Sequence, residues 1–99
     1  MVENPLKIYE KIDPELLKQV ENARLFTFRD GALPLKVKLL IAMALDAAHG
    51  AVQGVRALAQ QAMNAGATKE EIGEALRVAL FVSGAGSAYT AAAALSGLF

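Results

Sequence analysis

The chain has no cysteine and no tryptophan, and only one histidine and three prolines in 99 residues. Without cysteine there are no disulfides, no thiol catalysis and no zinc–thiolate site. A single histidine excludes a histidine-rich metal site within one chain, and neither a metal nor an organic cofactor is expected. Charge of one sign is not in excess either. Ten basic and ten acidic side chains give a net charge of zero and a pI near 6.6. Nucleic-acid binders carry a basic surplus, so no nucleic-acid partner is expected. A hydrophobic share of 55% and a mean hydropathy of +0.35 exclude disorder. Two domains of about 50 residues each would need disulfides or metals; the chain therefore reads as one domain, residues 1–99.

The opening Met1–Lys7 stretch lacks the apolar segment of a secretion signal, and the cytoplasm is the expected location. Val78–Phe99 carries no charged side chain and is long enough to span a bilayer. Its bulk is alanine, glycine and serine, which gain little from hydrocarbon. It reads as buried or interface helix, with no membrane partner.

What is present is helix signal. Asp13-Pro14-Glu15 supplies a cap, a proline at the first helical position and an acid in the first turn, and Leu16, Leu17 and Val20 follow on one face. Leu25–Phe28 is the one short stretch with strand-like alternation, and Arg29-Asp30-Gly31 reads as a turn. Leu35–Ala48 is leucine- and alanine-rich, as a helix requires. Gly50 marks a break, Gly54 a close backbone approach, and a helix is expected from about Ala51 to Ala65. Gly66 suits a left-handed helix end, and Thr68 and Glu71 have capping-box spacing. Ser83–Ser87 reads as a further break before a last helix from about Ser87 to Leu95. The expectation is an all-α domain of about five helices: an N-terminal helix and turn in 1–30 and a core in 31–99.

Between Leu39 and Thr68 the only formal charges are Asp46 and Arg56. A monomer of this size buries roughly 60–68% of its chain surface, too little to hide several such helices. The excess apolar surface points to subunit contacts and an obligate homo-oligomer.

Three segments, Gly31–Ala42, Ala65–Ile72 and Ser83–Tyr89, resemble in order and spacing the carboxymuconolactone decarboxylase family, which includes the alkyl-hydroperoxidase D-like proteins. The resemblance covers most of the chain from Gly31 onward. It implies an all-α fold assembled as a trimer or hexamer. Peroxidase-type members carry a glutamate, a Cys-x-x-Cys pair at a helix start, and a histidine four residues on. Counting back from Gly66 puts these positions at Leu39, at Ala51 and Gly54, and at Leu58. All four are apolar or small here, so thiol peroxidase chemistry is excluded. Leucine in place of a carboxylate and an imidazole turns polar positions into core.

Decarboxylase members need no cysteine. Such a reaction wants a cation for the carboxylate and a group that moves a proton, and Arg56 and His49 are the candidates. His49, Gln53, Arg56 and Gln60 follow at helical spacing and would share one stripe. On the functional reading Arg56 holds a small anionic ligand, His49 relays a proton, and Gln53 and Gln60 orient the ligand. The plainer alternative is one solvated face of an amphipathic helix. Tyr89, in the glycine-flanked break, either faces a pocket or neighbour or is a buried aromatic. Three functions follow: an oligomeric small-molecule-binding member without the redox centre, a decarboxylase or isomerase acting on a small carboxylated substrate, or a partner subunit of a catalytic paralogue.

Overall fold

The computed structural model describes residues 4–99, so Met1, Val2 and Glu3, the first part of the leader reading, lie outside the described residues. Among the described residues there are six α-helices and no strand. They are α1 (Tyr9–Ile12), α2 (Pro14–Thr27), α3 (Leu35–Ala48), α4 (Val52–Asn64), α5 (Lys69–Ser83) and α6 (Ala85–Leu95). The helix beyond the expected five is α1, a single turn fed by a 3-10 turn at Pro5–Ile8. Leu25–Phe28 is no strand: α2 runs through Thr27, started by Asp13, whose Oδ1 accepts the Leu16 N–H at 3.0 Å. Alternation over four residues yields to a capped helix when no strand is present to pair with it.

Glycines set the other boundaries. Gly50 and Gly66 take φ of +78° and +102°, the left-handed region open to a residue without Cβ, and end α3 and α4. Thr68 and Glu71 form the expected capping box. The Glu71 carboxyl is held below its ordinary value of 4.5, first by the Thr68 backbone N–H and then by the Lys36 ammonium. Gly84, at φ +85°, is the whole of the later break, and α6 resumes at Ala85, two residues before the expected Ser87. Ser87 Oγ donates back to the Gly84 carbonyl at 2.8 Å, closing the junction. The uncharged stretch from Val78 is thereby cut in two. Among the described residues no helix is long and apolar enough to cross a membrane.

Helices α3 to α6 pack on one another around Met43, Ala47, Val55, Ala59, Ile72, Ala79, Ala91 and Ala94. A second cluster, Leu39, Ala62 and Ala67, is lined by Phe28, Leu35 and Leu58. Seven of the eleven buried apolar residues are alanines, while fifteen large apolar side chains are exposed. Small residues let helices approach closely, yet each removes little apolar area from water; only four large apolar side chains, Leu39, Met43, Val55 and Ile72, are buried.

The N-terminal arm stands apart. Neither α1 nor α2 has a buried residue, and their substantial contacts are with each other and with the Pro5–Ile8 turn. Its root is tied down. Lys38 Nζ donates to the Thr27 and Arg29 carbonyls at 2.9 and 2.7 Å, and Asp30 Oδ1 accepts the Leu35 N–H at 2.7 Å. The radius of gyration, 14.3 Å, exceeds the ~13 Å of a compact domain this long, as a projecting arm requires.

Candidate functional site

Of the four positions singled out by the resemblance, Ala51 and Gly54 sit at the α3–α4 junction, and Leu39 and Leu58 lie further along the two helices. Ala51 is the N-cap residue of α4 and offers no side-chain cap. Gly54 follows in the first turn, and Leu58 lies one turn further on. Leu39 is 3% exposed and Val55 is fully buried; Leu58 is half-buried and packs against both core clusters. Hydrocarbon thus fills the place where a carboxylate and an imidazole would face each other. A side chain at 54 would run into the Asp46 carboxylate, which would have to swing aside to admit it. The close approach expected at Gly54 is therefore to a side chain, and Asp46 is a residue that sequence reasoning left out of the site.

The stripe of polar residues is only partly assembled. Gln53, Arg56 and Gln60 lie on the exposed face of α4. His49 does not join them: it is the C-cap of α3, its N–H bound to the Leu45 carbonyl at 3.1 Å. Gly50 then breaks the helix, which removes the continuous spacing on which the stripe rested. Arg56 points to the end of α6. Its Nη1 donates to the Ala94 carbonyl at 3.1 Å and the Ser96 carbonyl at 2.8 Å. A cation there satisfies carbonyls that a helix C-terminus leaves unpaired and meets the negative end of its dipole. Tyr89 is 78% exposed and is not a buried aromatic.

A cleft of about 370 Å³ opens beside Leu39, lined by Arg24, Phe28, Leu35, Gln61, Asn64 and Ala65. Phe28, Leu35 and Leu39 give it an apolar floor, while Gln61 and Asn64 bring amides from the last turn of α4. Arg24 comes from the last turn of α2. Apolar walls with a few polar groups are the usual make-up of a small-ligand site, and a guanidinium with two amides suits a carboxylate. Asn64 continues the α4 stripe, but Arg24 and Gln61 lie off it, and only the approach of the end of α2 to the α3–α4 pair brings the three together. Among the described residues no three histidine, aspartate or glutamate side chains converge as a metal site would need.

Fold and site together define a small all-helical protein with a cleft beside Leu39 and hydrocarbon at Leu39, Val55 and Leu58. Residues 14–96 match the model of the carboxymuconolactone decarboxylase family, and the chain belongs to that family. Its fold is also similar to the crystal structure of an apo carboxymuconolactone decarboxylase family protein from Legionella pneumophila. The two share 34% identity over 91% of this chain and 80% of that one, with a TM-score of 0.83. No curated protein sequence matches the chain.

Proposed function

We propose that this chain is a non-redox member of the family that self-assembles, as a trimer or hexamer, and binds a small organic acid in the cleft beside Leu39. The observation that carries this reading is Arg24 beside an apolar floor that includes Leu39, at the position where the resemblance puts a catalytic carboxylate. An acid there would repel an anionic ligand; a leucine accepts its hydrocarbon body, and the guanidinium takes the carboxylate. Self-assembly is supported by the fifteen exposed large apolar residues set against a core made mostly of alanine. Cytoplasmic location fits the cysteine-free composition and belongs to the same reading.

A decarboxylase or isomerase built on Arg56 and His49 has less support. Arg56 already serves two carbonyls of α6, and His49 lies outside the helix that carries Arg56. Benzoate titration followed by amide NMR tests the binding reading. Shifts confined to Arg24, Gln61, Asn64 and their neighbours, lost in Arg24→Gln, are expected. Shifts centred on Arg56 and Tyr89, or none at all, would overturn it. Native mass spectrometry of the same sample tests the assembly, for which a multiple of three is expected.

A further inference from the structure

The chain carries two unpartnered apolar surfaces of opposite shape. One is concave: α3 and α5 frame a groove of about 710 Å³ lined by Val37, Leu40, Ile41, Ala44, Leu45, Ala75 and Val78, with Glu71 and Glu74 among its walls. Its apolar surface continues along α5, where Phe81 and Val82 follow Val78 at i+3 and i+4 and so share its side of the helix; Phe81 is 91% exposed. The other surface is convex: the α1–α2 arm, with no buried residue. Leu16, Val20 and Ala23 stand at i, i+4 and i+7 on α2, the spacing of anchors that lay a helix into a groove. Isolated helices of fewer than ~12–15 residues are marginal in water, and α2 has 14.

We infer that the groove between α3 and α5 receives the N-terminal arm of a second copy of this chain. Lengths agree. The anchors Leu16 to Ala23 span about 10 Å and the groove wall from Val37 to Leu45 about 12 Å, at 1.5 Å of helical rise per residue. Area agrees as well. The exposed fractions of Ile41, Leu45, Val78, Phe81 and Val82 on the groove and its continuation, with Leu16 on the arm, amount to between three and four fully exposed large side chains. Each removes roughly 60–120 Å² of apolar surface when covered. A reciprocal pair of arms, which needs the two-fold axis of a hexamer built from two trimers, would cover roughly 450–900 Å² of apolar surface, and apolar atoms make up a little over half of an interface. The total brackets the ~1,000 Å² that a specific interface requires. The arm's own root, fixed by Lys38 and Asp30, need not move, because the arm already projects from its own core. The inference rests on the assembly part of the proposed function and names the surfaces that make it.

The absence of cysteine makes the test free of background. Leu16→Cys and Val78→Cys, both at exposed positions, are co-expressed as full-length proteins with different tags so that both enter one assembly, and oxidised. A disulfide-linked dimer that requires both variants is expected, and Ile41→Glu in the Val78→Cys protein should reduce its yield at least tenfold. Dimers formed by Val78→Cys alone would mean that two grooves meet, and would overturn the inference. So would the absence of any mixed dimer while native mass spectrometry still shows an assembly of the unsubstituted protein; in that case the assembly stands and this contact does not. A monomeric mass for the unsubstituted protein would overturn both.

Discussion

Lys36 Nζ lies 2.9 Å from Glu71 Oε2, while Oε1 of the same carboxylate accepts the Thr68 N–H at 2.9 Å. One side chain thus closes the capping box of α5 and ties its start to the first turn of α3. The pair is solvated, so the ion pair adds little by itself, and the cap is the larger part. Thr68→Ala should lower stability by about 1 kcal/mol, measured by chemical denaturation.

The same carboxylate makes stability depend on pH. Its folded value lies below the ordinary 4.5 that it regains on unfolding. A lowered value contributes stability above 4.5, and that contribution drains away as pH falls through the folded value. Glu71→Gln should therefore be less stable than the parent at neutral pH, and the difference should shrink as pH drops past 4.5. A difference that stays constant would assign the effect to something other than ionisation.

Arg56 acts at a distance. Its two bonds to the Ala94 and Ser96 carbonyls hold the end of α6 against α4. Arg56→Ala should cost about 1–2 kcal/mol and speed hydrogen exchange at the C-terminal turn of α6 more than elsewhere. Benzoate binding should survive the substitution, since the cleft beside Leu39 does not use this guanidinium.

Leu58 packs between the two core clusters. Leu58→His should lower stability by roughly 1–3 kcal/mol, because a polar ring would enter without a partner. Leu58→Met, which conserves volume, should lose less than about 1.5 kcal/mol. Equal melting temperatures for Leu58→His and the parent would show that the position is open and polar instead of packed.

Gly54 and Asp46 compete for one volume. Gly54→Ala gains helix propensity but must push the Asp46 carboxylate aside, so it should stabilise the protein by less than the roughly 0.5–1 kcal/mol that such a change gives in a helix. In an Asp46→Ala background the full gain should appear, a coupling read from a double-mutant cycle.

Local features were legible in the sequence. The Asp13 cap, the Thr68–Glu71 box, the left-handed Gly66 and the α3 span Leu35–Ala48 all depend on neighbours within a few residues. Features that join distant residues were not. Arg56 meets partners 38 and 40 residues away, and no periodicity announces that. His49 fits the α4 stripe by spacing, yet Gly50 breaks the helix that the spacing assumes. The cleft was missed for the same reason: Arg24 and Asn64 share no helix face, and only the docking of the α2 end on the α3–α4 pair unites them. Lys36 and Lys38 look like ordinary solvated lysines in sequence, and in the fold both tie elements together.

The crowding of Gly54 by Asp46 makes the α3–α4 junction a shared volume. Any side chain added at 54 meets the end of the Asp46 side chain, so what one position accepts depends on what stands at the other. The start of α4 cannot grow without an answering movement on α3, and the two helices change together at this point or not at all.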